Sequence, residues 1–128
     1  MNIKSSQTLV SEALETVKTI SSVEALKLLN ENKCNLIDIR DKMELQRRGR
    51  IENSYNISRG LLEFSIHPES AFVLQEKLDL NKEIVLFCAA GGRSALAAKT
   101  LKEMGFKNVS HVAGGFGAML VSGFKVIK

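Results

Sequence analysis

A short apolar run that leads through small residues into a helix-like stretch constrains the fold of this chain more than any other feature. The run Glu83–Cys88 is apolar after its first residue, and the segment Ala89–Gly92 contains only alanine and glycine. An apolar run of this length predicts a buried strand, and the paired glycines predict a tight turn. Arg93 and Ser94 then begin a helix-like stretch. A strand that turns directly into a helix predicts an α/β fold.

The rest of the chain repeats this alternation of apolar runs and helical patterns. Helical spacing and capping signals predict helices, and short apolar runs predict buried strands. The predicted strands are 35–40, 54–57, 83–88 and 109–112. The predicted helices lie within 9–17, from Ser21 to residues 30–33, after Asp41, at 61–66, from Pro68 onwards, up to Gly105 and at 116–121. The predicted buried face of the helix before Gly105 is Leu96, Ala97, Thr100, Leu101 and Met104.

Strands that alternate with helices in this way predict a mostly parallel sheet covered by helices on both faces. Functional residues of such folds gather at the carboxyl ends of strands. Cys88 ends one predicted strand, and Asp38 and Arg40 end another, so we expect all three at the same edge of the sheet. No linker or repeat divides the chain. Residues 1–128 are therefore predicted to form one domain, with residues 1–18 as an amphipathic N-terminal helix packed on it.

Charge and composition argue against several classes of function. The chain carries 18 basic and 14 acidic residues, a net charge of +4, which suits small anionic substrates. The basic cluster Arg47–Arg50 is short, and Tyr55 is the only aromatic residue near it, so no nucleic-acid partner is predicted. No apolar stretch reaches the length of a membrane span, so no membrane partner is predicted.

The two cysteines, Cys34 and Cys88, lack the spacing of a disulfide scaffold or of a zinc site. Two free cysteines predict a reducing compartment, here the cytoplasm, and no metal is predicted. Cys34 is predicted to be structural. A role as the cysteine that resolves an intermediate on Cys88 would require the two residues to lie close together in space. His67 and His111 stand alone in the sequence and are predicted to be surface or strand residues, not ligands.

Cys88 lies where a thiol becomes reactive. The first turn of a helix presents unpaired N–H groups and the positive end of the helix dipole, and a thiol placed there ionises more readily to the nucleophilic thiolate. The amides from Ala89 to Ser94 are predicted to surround the sulfur as an anion-binding nest. Gly91 and Gly92 lack a Cβ, so the chain can turn tightly there and use positive φ angles. The segment therefore predicts an active-site loop that holds an anionic sulfur.

Five segments, in this order, resemble the motifs of single-domain rhodaneses, a family of sulfurtransferases. They are Leu36–Arg40 with Glu44 and Gly49–Ile51, then Arg59–Phe64, Cys88–Ser94, Met104–Val109 and Gly114–Phe116. The resemblance covers nearly the whole chain. It implies a three-layer α/β domain with a central, mostly parallel five-stranded sheet flanked by helices.

The resemblance also implies a reaction, in which Cys88 takes the outer sulfur of a donor, becomes a persulfide and passes this sulfur to an acceptor. The implied donors are small anions such as thiosulfate, or a persulfide or polysulfide, and the implied acceptors are cyanide, a small thiol or a protein thiol. The spacing Cys88-x4-Arg93 is one residue shorter than the Cys-x5-Arg loop of related phosphatases. The shorter loop fits one sulfur atom better than a phosphoryl group. No metal or organic cofactor is implied, and the oligomeric state stays open.

Roles for the residues around the cysteine follow from the same resemblance. Substrate binding is assigned to Ala89, Ala90, Gly91, Gly92, Arg93, Ser94 and Arg59. Arg93 either binds the donor or orients the loop, and Ser94 either caps the helix or donates to the sulfur. Arg59 either supplies positive charge to the pocket or pairs with Glu63, four residues later.

Two further sets of charged residues have predicted roles. Asp38 and Arg40 are predicted to support the site as a structural ion pair, with Glu44 as a candidate third member. The arginines of Arg47–Arg50 are predicted to form a solvated face.

Two rival functions stay open. The first rival function is a rhodanese-like sulfur-carrier or regulatory module with little turnover of its own. The second is a relative of phosphatases or arsenate reductases.

Overall fold

Seven helices and seven strands make up the computed structural model, which describes residues 1–128. The helices are α1 (Ser6–Leu14), α2 (Ser22–Asn30), α3 (Lys42–Arg48), α4 (Leu62–Ile66), α5 (Ala71–Glu76), α6 (Gly92–Met104) and α7 (Gly115–Ser122). The strands are β1 (Lys18–Ile20), β2 (Cys34–Asp38), β3 (Arg50–Ile51), β4 (Tyr55–Asn56), β5 (Glu83–Phe87), β6 (Val109–Val112) and β7 (Val126–Ile127). One 3₁₀ turn, Arg59–Leu61, leads into α4.

Five of the strands form one sheet, in the order β1-β6-β5-β2-β4, and every neighbouring pair in it is parallel. The predicted parallel sheet is therefore confirmed. The other two strands, β3 and β7, pair with each other in antiparallel orientation. The sequence analysis missed β1, β3 and β7, which are two or three residues long and were not recognised as apolar runs.

The sheet is covered on both faces, and the side chains of β5 show how. Ile84, Leu86 and Cys88 point to a core shared with α4, α5 and α6, whereas Val85 and Phe87 point to a core shared with α2 and α7. Alternation between the two faces is the natural geometry of a strand. Burial of each large apolar side chain contributes about 1.5–3 kcal/mol. These two cores give the three-layer α/β architecture.

Side-chain caps begin four of the seven helices, namely α1, α2, α3 and α5. Asp41 and Glu44 form a reciprocal capping box at α3, and the Ser21 side chain accepts from the amide of Glu24 at the start of α2. The prediction that Pro68 opens a helix is wrong. Ser70 caps α5 instead, because its hydroxyl accepts from the amide of Val73 at 3.1 Å. Pro68 lies in the turn before that cap.

The long helix α6 packs through small residues, which the sequence analysis did not expect. Its buried residues are Ser94, Ala95, Ala97, Ala98 and Leu101. Leu96 and Thr100 are only partly buried and Met104 is exposed, so the predicted face is wrong at these three positions. Small side chains let the helix axis approach the sheet closely. Gly105 ends the helix at φ 112°, as predicted. Helix α1 packs on the outside of α6 and buries Ala13.

Candidate active site

Cys88 directly follows the carboxyl end of β5, beside the end of β2. The two strands are neighbours, and Asp38 pairs in register with Phe87. Helix α6 begins four residues after the cysteine, at Gly92. The structure therefore brings Cys88, Asp38 and Arg40 to one edge of the sheet. The side chain of Cys88 is 1% exposed, so its sulfur lies beneath the loop that follows it.

Backbone amides of the loop donate to the sulfur. The N–H groups of Gly91 and Ser94 lie 3.1 Å and 3.4 Å from Sγ of Cys88. The hydroxyl oxygen of Ser94 lies 3.6 Å from the same atom. The loop amides that donate to no acceptor within the protein are those of Ala89, Ala90, Gly92 and Arg93. The loop thus holds two amides on the sulfur and leaves four more for an anion.

The two glycines of the loop differ in conformation. Gly91 has φ 111° and ψ −12°, a backbone conformation that residues with a side chain rarely adopt. Gly92 is not among the residues with positive φ. It is the first residue of α6 and already has a helical backbone, so of the two glycines only Gly91 uses the positive φ that glycine allows. A Cβ built on Gly92 would lie 3.7 Å from Cγ2 of Val10, an ordinary contact.

A second pair of glycines supports the loop from below. The amide of Phe116, in the first turn of α7, donates to the carbonyl of Cys88 at 2.8 Å. Gly115 approaches the same carbonyl so closely that a Cβ at this position would lie 2.5 Å from its oxygen. Its φ of 55° also favours glycine. The sequence analysis assigned Gly114–Gly115 only to a turn, and nothing local in the sequence shows that this turn contacts the cysteine loop.

Arg93 forms an ion pair with Glu44 across the site. Both contacts between the guanidinium nitrogens and the carboxylate oxygens are 2.8 Å. The hydrogen bonds from Arg93 lower the pKa of Glu44 to about 2, and Glu44 in turn raises the pKa of Arg93. This pairing ties the start of α6 to α3. The sequence analysis considered Glu44 only as a candidate partner of the Asp38–Arg40 pair, and its pairing with Arg93 was not predicted.

Asp38 and Arg40 form a buried ion pair next to the loop. Their side chains are 0% and 1% exposed, and the Arg40 Nη2 atom lies 2.7 Å from Oδ2 of Asp38. The same nitrogen donates to the carbonyl of Gly49 at 3.0 Å. The guanidinium also stacks on the ring of Phe116, with Cζ 4.0 Å from the ring centroid. Glu44 binds Arg93 and is not hydrogen-bonded to this pair, so the prediction of Glu44 as its third member is wrong.

A cavity of about 260 Å³ opens beside the loop. It is bounded by Arg40, Glu44, Arg47, Arg48, Ala89, Phe116 and Gly117. Arg47 and Arg48 are exposed, as expected for a solvated face, and form no ion pair. The cavity therefore presents two unpaired cations next to Ala89, the first residue after the cysteine. Arg50 points elsewhere and donates to the carbonyl of Ser54 at 2.8 Å.

The side chain of Arg59 forms no hydrogen bond with the loop. Its guanidinium lies 2.8 Å from the carboxylate of Glu63 and 3.3 Å from the hydroxyl of Thr100. These are its side-chain polar contacts, and neither partner belongs to the residues around Cys88. Of the two roles considered for Arg59, the pairing with Glu63 is the one that the geometry describes.

Cys34 lies at the opposite end of the sheet from Cys88. It begins β2 and pairs in register with Glu83, the first residue of β5. Five strand residues at about 3.3 Å each put roughly 16 Å between the two cysteines, whereas a disulfide needs Cα atoms within about 7 Å. Burial raises the pKa of Cys34 to about 11. A larger cavity, about 550 Å³, lies beside Cys34 and away from the site.

His111 is buried within β6 and contacts the site through Ser94. Its Nδ1 atom lies 3.0 Å from Oγ of Ser94, and its Nε2 atom lies 2.9 Å from Oγ1 of Thr19. Burial lowers the pKa of His111. His67 is exposed. No group of three or more His, Cys, Asp or Glu side chains has the arrangement of a metal site.

Comparison with known families decides the assignment of this fold and loop. The profile of the family described as "Rhodanese-like domain" matches residues 21–120. The chain belongs to the rhodanese family. Sequence relatives of this rhodanese domain include thiosulfate sulfurtransferase GlpE of Coxiella burnetii, 32% identical over 100 residues, which cover 77% of the chain and 83% of the relative. The chain spans 67% and 53% of two other curated relatives, from mouse and Arabidopsis thaliana.

Solved structures show the same rhodanese fold. A polysulfide-sulfur transferase homodimer from Wolinella succinogenes is 35% identical with a TM-score of 0.74, covering 94% of this chain and 85% of that one. A protein of unknown function from Rhodopseudomonas palustris, described as a possible tyrosine phosphatase, is 35% identical with a TM-score of 0.85 and covers 99% and 97%. Family and relatives together support sulfurtransferase activity at the level of the family. None of the helices of this rhodanese domain combines the length and the apolarity that a membrane crossing requires.

Proposed function

We propose that the protein is a sulfurtransferase that moves a sulfane sulfur from thiosulfate or a persulfide donor to a thiol or cyanide through a persulfide on Cys88. The observation that carries this proposal is the environment of the Cys88 sulfur. Two amides donate to it, and four more amides of the same loop have no acceptor in the protein. Such a loop can hold the anionic sulfur of a thiolate. It can also hold a persulfide, in which the cysteine sulfur carries a second, anionic sulfur atom.

The reaction balances without an oxidant or a cofactor. The Cys88 thiolate attacks the outer sulfur of thiosulfate, a new S–S bond forms, and the S–S bond of thiosulfate breaks with its electron pair leaving on sulfite. The thiolate of an acceptor then attacks the outer sulfur of the Cys88 persulfide. The S–S bond to Sγ breaks, the Cys88 thiolate is restored, and the acceptor leaves as a persulfide. This is covalent catalysis by an activated nucleophile.

The unpaired amides account for the persulfide state. The terminal sulfur of a persulfide carries the negative charge, and it extends beyond Sγ into the space that the loop encloses. The amides of Ala89, Ala90, Gly92 and Arg93 are free to donate to that sulfur. Hydrogen bonds to a charged acceptor are about twice as strong as neutral ones, so these four amides favour retention of the sulfur between the two half-reactions.

Entry of an anionic donor is favoured at the cavity beside Ala89. Arg47 and Arg48 line this cavity and form no ion pair. Unpaired cations in a concave site attract small anions. Arg93 acts in this scheme by holding the loop through Glu44, and the buried Asp38–Arg40 pair holds the neighbouring strand end. Two free cysteines fit a reducing compartment, and we propose the cytoplasm.

A phosphatase function fits the site less well than sulfur transfer does. Arg93 follows Cys88 at Cys-x4-Arg spacing, and its guanidinium is occupied by a carboxylate on two 2.8 Å contacts. The Glu44 carboxylate would repel a phosphate dianion placed over the loop. We therefore expect no hydrolysis of an aryl phosphate.

Burial of the sulfur favours one other candidate, a sulfur carrier or regulatory module with little turnover. Cys88 is 1% exposed, so a small acceptor reaches it less readily than a partner protein that moves the loop would. In that case the persulfide forms once and its release awaits a partner.

Steady-state kinetics distinguishes these functions. The protein is incubated with thiosulfate and cyanide, and thiocyanate formation is followed for the wild type, Cys88→Ser and the matched control Cys34→Ser. We expect sustained turnover in the wild type and Cys34→Ser and none in Cys88→Ser. Release of one equivalent of sulfite without thiocyanate formation would support the carrier instead. Hydrolysis of p-nitrophenyl phosphate that depends on Cys88 would overturn the sulfurtransferase proposal in favour of a phosphatase.

A further inference from the structure

A chain of hydrogen-bonded polar side chains leads away from the Cys88 sulfur, and the proposed reaction does not yet use it. Oγ of Ser94 lies 3.6 Å from the sulfur and 3.0 Å from Nδ1 of His111. Nε2 of His111 lies 2.9 Å from Oγ1 of Thr19 on β1. Ser94 is 0% exposed and His111 is 1% exposed. The chain therefore connects the nucleophile, through two groups that water does not reach, to the exposed Thr19 on the edge strand β1.

The direction of these hydrogen bonds follows from the charge on the sulfur. A thiolate has no proton and only accepts, so Ser94 must donate its single hydroxyl proton if it is to bind the anion. The oxygen of Ser94 then accepts from His111, which requires the proton of the neutral ring to be on Nδ1. Nε2 is left with a lone pair, and the hydroxyl of Thr19 donates to it. Ser94 and His111, the two inner members of the chain, then each have one donor and one acceptor role satisfied.

Two other acceptors compete for the Ser94 proton. The carbonyl of Gly91 lies 3.2 Å from Oγ of Ser94, and Nδ1 of His111 would accept if its proton were on the other nitrogen. A protonated Nδ1 removes the second competitor. The charged sulfur outcompetes the neutral carbonyl, because a charged acceptor makes the stronger hydrogen bond. His111 therefore decides where the hydroxyl of Ser94 points.

We propose that His111 is a positioning residue, which aims the hydroxyl proton of Ser94 at the Cys88 sulfur and so holds that sulfur as a thiolate between transfers. This inference deepens the proposed function and rests on it. Burial lowers the pKa of His111, which keeps the ring neutral and leaves it the single ring proton that the chain requires. The charged groups around the loop are the ion pairs Arg93–Glu44 and Asp38–Arg40 and the cations Arg47 and Arg48. All of them stay unchanged in every variant below.

The test measures thiolate reactivity and uses no sulfur donor. Alkylation of the folded protein by iodoacetamide is followed against pH and read on tryptic peptides, which separate Cys88 (Glu83–Arg93) from Cys34 (Cys34–Arg40). We expect His111→Leu to shift the midpoint of the Cys88 profile upward by about one pH unit, which is about a tenfold slower reaction below it. His111→Asn places an amide nitrogen where Nδ1 was and should restore most of the rate.

A double-mutant comparison separates positioning from packing. If His111 acts through Ser94, then His111→Leu has no further effect on alkylation once Ser94→Ala is present. Thr19 is exposed, so Thr19→Val leaves the His111 ring and the core in place. It removes only the hydroxyl that donates to Nε2 of His111. It should slow alkylation about threefold, a change of about 0.5 pH unit, and only when Ser94 is present. Circular dichroism and urea unfolding of each variant confirm that the compared proteins are folded.

Two results would overturn the inference. One is an equal effect of His111→Leu in the wild-type and Ser94→Ala backgrounds, which is the behaviour of a packing residue. The other is a Cys88 alkylation profile that matches the wild type both in Thr19→Val and in every His111 variant that folds. Because no donor is involved, failure of the protein to form a persulfide from thiosulfate would contradict the proposed function and not this result.

Discussion

The two glycines of the cysteine loop allow a matched test of how the loop holds its sulfur. Gly91→Ala and Gly92→Ala add the same methyl group at adjacent positions. Gly91 has φ 111°, and its amide donates to Sγ of Cys88 at 3.1 Å. Gly92 has a helical backbone, and its added Cβ would lie 3.7 Å from Val10. Only the first substitution therefore conflicts with the backbone.

The expected costs differ in sign. An alanine held in the backbone conformation of Gly91 costs about 1–3 kcal/mol. If the loop relaxes instead, the amide leaves the sulfur and a hydrogen bond to a charged group, about 1.5–3 kcal/mol, is lost. Gly92→Ala is expected to be neutral or to stabilise by about 0.4–1 kcal/mol, because alanine restricts the unfolded chain without strain in the fold.

Urea unfolding, thermal unfolding and the rate of persulfide formation with thiosulfate measure both effects. Gly91→Ala should lower the free energy of unfolding, with a fall in Tm of roughly 3–5 °C per kcal/mol, or should slow persulfide formation at least about tenfold if the loop relaxes. Gly92→Ala should match the wild type in both assays. Equal behaviour of the two variants, whether both damaged or both unaffected, would refute the reasoning.

Three further predictions concern the surroundings of the loop. Glu44→Gln should cost about 1 kcal/mol near pH 7, a value reduced for the partial exposure of Arg93. The pKa of Glu44 is lowered from 4.5 to about 2 in the folded protein, so the unfolded chain binds this proton first and the difference in unfolding free energy should vanish as pH falls from about 4.5 to 2. Gly115→Ala should abolish persulfide formation at Cys88, because its Cβ would lie 2.5 Å from the Cys88 carbonyl oxygen. Cys34 should resist alkylation near pH 8, since its pKa is raised to about 11.

Each of these three has a clear contrary result. A stability difference between the wild type and Glu44→Gln that persists unchanged down to pH 2 would show that the ion pair is not its source. Wild-type persulfide formation in Gly115→Ala, with Gly117→Ala as the matched control, would remove the role of the Gly114–Gly115 turn. A Cβ on Gly117 meets nothing within 4 Å. Rapid alkylation of Cys34 in the folded protein would contradict its burial.

The sequence predicted those parts of the structure that depend on local patterns. The strand before Cys88, the loop and the following helix lie where the apolar run and the glycines indicated, and β2 brings Asp38 to the same edge. Local signals failed where a long-range contact decides the outcome. Leu96 has the hydrophobicity of a core residue, yet Ala95 and Ala98 take the buried positions because α6 lies close to the sheet.

The residues of the candidate site divide in the same way, into those that a local sequence pattern reveals and those that a long-range contact brings in. Cys88 and its loop are visible in the sequence because the chemistry is contiguous. Glu44 is separated from Arg93 by 49 residues, and His111 is separated from Ser94 by 17. Neither pairing leaves a spacing pattern in the chain. Gly115 resembles any turn glycine until the fold brings it against the Cys88 carbonyl. Sequence reasoning therefore finds the nucleophile, whereas its supporting residues require the fold.

Intact mass after exposure to thiosulfate tests the central claim most directly. The reduced protein is treated with thiosulfate, freed of the donor and weighed without a reductant, beside Cys88→Ser and Cys34→Ser. We expect the wild type and Cys34→Ser to gain the mass of one sulfur atom, located on the tryptic peptide Glu83–Arg93 and removed by cyanide or a thiol. Cys88→Ser should gain none. A wild-type protein that stays unmodified with thiosulfate, with a persulfide and with a polysulfide would contradict the account.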